Sequence, residues 1–152
     1  MTVEERLKEL GIELPEQAPA GGLFRSAVLH GGLLFVSGHG PYRDGEYVYR
    51  GKVDSEVTVE DATKAAELSI VNALASVRRE LGSLDRVEQV VKLLGMVNSD
   101  PRFEDQSKVI DGASALLAEV FGDRSGHARS AVGMSALPMS ISVEIEMILA
   151  VH

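Results

Sequence analysis

Arg129 and the glutamate pair Glu144 and Glu146 are the residues of this chain whose types and spacing could do chemistry. An arginine fork matches a carboxylate with two hydrogen bonds. A glutamate can orient a water molecule and carry its proton. Both kinds of group lie in the last quarter of the sequence, residues 125–151, which reads as two strands around a turn at Leu137-Pro138. The first strand begins with Arg129. In the second, Ile141, Val143, Ile145, Met147, Leu149 and Val151 alternate with Ser142, Glu144, Glu146, Ile148, Ala150 and His152. That period of two predicts a strand with one buried face and both glutamates on the other. With the turn centred near Pro138 and Met139, Arg129 falls opposite residue 148 or so. Glu144 is then about 13 Å away along the ladder. The two would not readily share a small ligand within one hairpin, so a joint site calls for a neighbouring chain.

The elements that must position this pair follow from hydrophobic period and turn signals. Residues 3–10 carry Val3, Leu7 and Leu10 on one helical stripe, stopped by Gly11 and Pro15; residues 12–22 read as a loop over the domain surface. Runs 26–30 and 33–37 flank Gly31-Gly32 as a tight hairpin. Residues 38–45 read as a loop and 47–53 as a short extended piece. Thr58 then caps a helix running to Leu81 before Gly82, with Ala66, Ile70, Ala73, Leu74, Val77 and Leu81 as its buried stripe. Residues 87–98 read as a long strand, with Val87, Val91, Leu93 and Val97 on one side and Val90, Leu94 and Met96 on the other. Pro101 opens a helix over 102–121, ended by Gly122. Two helices can cover one face of the sheet. The apolar character of Val90, Leu94, Met96 and Ile148 on the other face calls for a partner, most economically further copies of the same chain.

Composition narrows the function classes. The chain has 152 residues, enough for one domain with a core. It has no cysteine, which excludes a disulfide framework, a thiolate metal site and a cysteine nucleophile, and fits a reducing cytosol. A cytoplasmic protein is expected. The amphipathic, charged N-terminus lacks the pattern of a secretion signal, and no apolar run has membrane-spanning length. A formal net charge of -8, with Arg78-Arg79 the longest basic cluster, argues against a nucleic-acid partner. His30, His127 and His152 show no metal-ligand spacing, and no phosphate loop is present.

Three stretches taken together resemble the YjgF/Rid (RidA-like) family. They are Phe35-Val36-Ser37-Gly38 after the hairpin, Ala128-Arg129-Ser130-Ala131-Val132, and Leu137-Pro138 followed by Val143-Glu144-Ile145-Glu146. The resemblance covers about residues 23–151, with residues 1–22 as an N-terminal helical extension of one RidA-like domain. It implies an α+β, chorismate-mutase-like fold: a mixed sheet with two helices packed on one face, trimeric, the sheets facing the centre. It further implies ligand sites in clefts between subunits and hydrolysis of reactive enamines and imines, such as 2-aminoacrylate, to ketoacids and ammonia without metal or organic cofactor. On the matching positions Arg129 holds the substrate carboxylate, Glu144 attends the attacking water, and the Gly38 backbone lines the pocket. Phe24, His39 and Ala131 fall where many active members carry tyrosine, glutamine and cysteine. The implied alternative is a non-catalytic trimeric binder of ketoacids or amino-acid derivatives with a regulatory role. The blander reading of Arg129 is a structural ion-pair partner, of Phe24 a packing residue at a cleft wall, and of His39 an incidental loop histidine.

Overall fold

The computed structural model describes residues 1–16 and 22–152, so the part of the 12–22 loop at 17–21 lies outside the described residues. Helix α1 spans Val3–Glu9. Strand β1 (Ala27–His30) turns at Gly31-Gly32, both at positive φ, into β2 (Leu33–His39). A small hairpin follows, β3 (Tyr42–Arg43) and β4 (Glu46–Tyr47), around Asp44 and Gly45, which also sit at positive φ. It occupies the stretch expected to be a loop. Of the extended piece expected at 47–53, only β4 is strand; the rest is tied down by bridges from Arg50 to Ile141 and from Val53 to Val57 and Ser99. Helix α2 covers Val59–Leu81, capped by the Thr58 side chain on the Asp61 amide and stopped by left-handed Gly82, as the sequence predicts. Strand β5 is Val87–Asn98, α3 is Gln106–Phe121, β6 is Ala128–Met134 and β7 is Val143–Val151.

Five strands form one sheet in the order β1-β2-β7-β5-β6. The pairs are antiparallel except β5 with β6, which is parallel. The expected closing hairpin is therefore overturned: β5 lies between β6 and β7. A strand reached from β5 through a long helix comes back parallel to it. The segment 135–142, with a short 3₁₀ turn and Met139 and Ser140 at positive φ, then carries the chain past β5 instead of folding it back on β6. Helix α3 also starts later than expected. Pro101 sits in a turn closed by the Phe103 amide on the Asp100 carbonyl and the Arg102 amide on the Asp100 carboxylate, both 3.0 Å.

The core lies between the sheet and the helices. All six residues of the predicted α2 stripe are buried in it. Helix α1 joins the helical layer through Val3 and Leu7, so three helices rather than two lie there. Glu4 fixes α1 by accepting from the Leu84 amide and pairing with Arg78. Register slips in β5, between Val87 and Gln89 and between Val90 and Lys92, each add a residue to the strand. They rotate the phase of the pattern: Val90 is fully buried on the helix face and Val91 is exposed, the reverse of a strict alternation.

The other face of the sheet is uncovered at its centre. Val28, Phe35, Ile148 and Lys92 stand in one cross-strand row, with Leu94 and Glu146 in the next. They line a depression of about 430 Å³. Met96 is covered within the chain, by Leu137 and Ile141 of the 135–142 segment.

Candidate functional site

Arg129 is in the same row as Leu93 and Met147, both buried against the helices, so its side chain rises on the helix face of the sheet. There it meets α3. Its Nη1 donates to Asp111 Oδ1 at 2.8 Å and to Ser114 Oγ at 3.1 Å; its Nη2 donates to Ser107 Oγ at 3.2 Å and to the Ser107 carbonyl at 3.4 Å. The arginine side chain is 20% exposed and that of Asp111 is 66% exposed. The cation is thus held in place, while the acid is free to leave at small cost, since exposed ion pairs contribute only about 0–1 kcal/mol. Ala131 is two residues along the same face, paired with Gly95 and packed against the core.

Glu144 occupies a different place. It is three residues from Met147 along β7, an odd step, which puts it on the uncovered face beside Met96. Three residues along the strand and two strands across separate the Arg129 and Glu144 backbones by about 14 Å, with the side chains on opposite faces. They do not converge within the subunit. Gly38 lies directly under Glu144. A Cβ there would be 2.4 Å from Glu144 Oε2, so only glycine lets the carboxylate rest on the backbone. Burial pushes the Glu144 carboxyl above its usual range, and the negative charge of Glu146 adds to the effect.

A bulge in β2 explains why Gly38 and His39 part company. Val36 pairs with Met147 and His39 with Ile145, so one extra residue intervenes and turns His39 onto the helix face. Its ring points away from Glu144, into the sheet–α2 interface. Nδ1 binds the Ser37 carbonyl at 2.6 Å and Nε2 binds Ser76 Oγ of α2 at 2.8 Å. Burial lowers its pKa, more than the Ser37 carbonyl raises it. Phe24 is 64% exposed and stands ahead of β1, beside Ser76 and Arg79, at the opposite edge of the sheet from Arg129.

The same clamp recurs at the other edge. Ser125-Gly126-His127 repeats the Ser37-Gly38-His39 triplet. His127 Nδ1 binds the Ser125 carbonyl at 2.6 Å and Nε2 binds Ser114 Oγ of α3 at 3.0 Å. Each Ser-Gly-His therefore pins one helix to the sheet through a serine. The first is sealed, with Ser76 buried; the second is half-buried and touches Arg129 through Ser114. Ser107, Asp111 and Ser114 are absent from the sequence reading, and His127 enters it only as a histidine without metal-ligand spacing. The signal was there: 107, 111 and 114 stand at i, i+4 and i+7, a polar stripe along α3.

Among the described residues no cluster of three or more metal-ligating side chains occurs, and no helix is long and apolar enough to cross a membrane. Residues 4–150 match the family described as "YjgF/chorismate_mutase-like, putative endoribonuclease". Protein TCP17 of Trypanosoma cruzi is 40% identical over 145 residues, 95% of this chain and 91% of that protein. The crystal structure of Atu1372 from Agrobacterium tumefaciens, a protein of unknown function, is 44% identical, with 99% of this chain and 92% of that one covered and a TM-score of 0.90. A Shewanella oneidensis structure carrying the same endoribonuclease description is 32% identical over 99% of this chain and all of that one, with a TM-score of 0.94. The mixed sheet, the helical layer on one face and the Arg129 and Glu144 strands are thus those of a known fold, and the chain belongs to the YjgF/chorismate-mutase-like family.

Proposed function

We propose that this protein is a hydrolytic deaminase of reactive enamines and imines of small 2-ketoacids, of the 2-aminoacrylate type. The observation that carries the reading is Glu144, a half-buried carboxyl with raised pKa seated on the Gly38 backbone. Such a group holds a proton more readily than an ordinary carboxylate and can pass it to a neighbouring atom. Arg129 anchors the substrate carboxylate through its guanidinium fork. Once the enamine has tautomerised, water adds to the imine carbon and gives a proton to Glu144, which passes it to the nitrogen. As the carbonyl forms, the carbinolamine hydroxyl gives up its remaining proton to the nitrogen through Glu144, the carbon–nitrogen bond breaks, and ammonia leaves a ketoacid. The activated imine needs little more than positioning, worth many powers of ten in effective concentration.

Because Arg129 and Glu144 face opposite ways, one site needs two chains: the β6 edge of one subunit against the uncovered face of another. A homotrimer with clefts between subunits meets that need, and it would also cover Val28, Phe35, Leu94 and Ile148. Phe24, at the β1 edge, would form a wall of such a cleft, with Gly38 at its floor and Ala131 beside the anchor. His39 supports the cleft from the helix side instead of touching substrate.

A second reading is favoured by the Arg129–Asp111 pair, which occupies the guanidinium in the free protein. It is a trimeric binder of small ketoacids or amino-acid derivatives without turnover. Ribonuclease action, suggested by the names of relatives, needs a cationic track that a chain of net charge -8 does not supply in its sequence.

The test generates 2-aminoacrylate in situ and follows its decay. Wild type accelerates it and Arg129→Ala does not. Arg129-dependent ketoacid binding in a calorimeter with no acceleration selects the binder. A stable 16 kDa species in sedimentation would remove the two-chain site.

A further inference from the structure

We infer that Asp111 and Ser114 read the nitrogen of the ligand, so that the Arg129 site selects 2-amino- and 2-iminocarboxylates over the corresponding 2-ketoacids. The inference rests on Arg129 as the carboxylate anchor, and it adds residues and a ligand class to that reading.

The proton on His127 is placed by its backbone partner. The Ser125 carbonyl at 2.6 Å can only accept, so Nδ1 carries the hydrogen. In the neutral ring Nε2 is then an acceptor, and the Ser114 hydroxyl must donate to it across 3.0 Å. Ser114 Oγ is left with lone pairs only. One takes Arg129 Nη1 at 3.1 Å, and the other can take a ligand N–H but can offer nothing to a ketone oxygen. The His127 clamp thereby fixes the serine as an acceptor beside the guanidinium.

Asp111 adds the charge. In the free protein it neutralises Arg129 at 2.8 Å from an exposed position. A ligand with carboxylate and ammonium, or carboxylate and protonated imine, can enter between the two. Its carboxylate takes the arginine and its nitrogen takes the aspartate, so one ion pair becomes two and neither protein charge is stranded. A ketoacid has only the anionic end. It must displace Asp111 and give that carboxylate nothing in return. The site would then hold the nitrogen form in a deamination and release the ketoacid that results.

The test is calorimetric titration of the full-length protein with L-alanine and with pyruvate, which share three carbons and a carboxylate. Wild type is expected to bind alanine about three- to tenfold more tightly, the range of an exposed to partly buried charge-assisted contact. Asp111→Asn should erase that preference, by weakening alanine while leaving pyruvate equal or tighter. Ser114→Ala should weaken alanine alone, and Arg129→Ala should weaken both. Glu104→Gln, an exposed charge change ahead of α3, should leave the ratio as in wild type. Thermal melts establish that each variant is folded. Equal binding of the two ligands by wild type, or an unchanged preference in Asp111→Asn, overturns the inference while Arg129-dependent binding leaves the anchor standing. Binding of neither ligand, or binding indifferent to Arg129→Ala, overturns both.

Discussion

Gly38→Ala separates the placing of the Glu144 carboxyl from the stability of the fold. The added methyl would lie 2.4 Å from Glu144 Oε2, 2.8 Å from Cδ and 3.1 Å from Cγ. Ordinary contact requires about 3.5 Å, so the carboxylate must retreat by about 1 Å. Because the nearest atoms are the far end of a flexible side chain, the retreat is a rotamer adjustment of about 0.5–1.5 kcal/mol. Replacing glycine by alanine in a strand returns about 0.5–1 kcal/mol of backbone entropy. The net stability change is therefore about 1 kcal/mol or less, and Tm moves by about 4 °C at most in a chain this long. A displacement of about 1 Å at a reacting group costs about 100-fold in rate. The decay of 2-aminoacrylate, followed beside a thermal melt by circular dichroism, should show that split. Glu144→Gln should be slower by about 100-fold or more, and adding Gly38→Ala to it should cost little further, because the group it displaces has already lost its proton chemistry. A Gly38→Ala variant within threefold of wild type, or a double variant showing the full product of the two losses, refutes the placement argument.

Three further expectations concern the frame. Gly95 lies under Ile110 of α3, where a Cβ would meet three side-chain carbons at 2.5–2.7 Å; Gly95→Ala should destabilise by about 1–3 kcal/mol, and Ile110→Ala, which removes all three carbons, should combine with it by at least about 1 kcal/mol less than additively in urea titrations. Burial lowers the His39 pKa from 6.5, so the unfolded chain binds the proton more readily, and stability is lost as pH falls below 6.5 through the folded value; urea midpoints measured on either side of that window should fall with acid in wild type and less in His39→Gln. Glu144 has the opposite sign. Its raised pKa makes the folded state the better proton binder, so stability declines as pH rises from 4.5 through the folded value, and Glu144→Gln should flatten that slope.

The elements with a strict local period were legible in the sequence. Strand β7 alternates without a slip and α2 carries both its cap and its stop, so their ends and faces follow from local chemistry. The misread features depend on what lies next door. The run 128–151 has the local look of a hairpin, but the partner of β6 is chosen by the α3 crossover, which returns the chain on the far side of β5. Val90 changed faces because a bulge inserted a single residue, and another bulge carried His39, expected in a loop, onto the helix face of a strand; nothing in a row of valines marks where a strand will slip. Arg129 was noticed for its type. Its partners were missed because their stripe on α3 becomes meaningful only once α3 is known to lie over β6.

The place of β6 at the margin of the sheet bears on how ligand occupancy would register in solution. It hydrogen-bonds to β5 alone and is the least buried of the longer strands, while β5 and β7 are paired on both sides. Its amides should exchange with deuterium through local opening, well before those of the central pair, which wait for global unfolding. The ties that resist that opening are side-chain ones, Arg129 to α3 and His127 to Ser114. A ligand joining the arginine to α3 would slow exchange in residues 128–134 and leave β7 unaltered, making this one strand a reporter of the anchor.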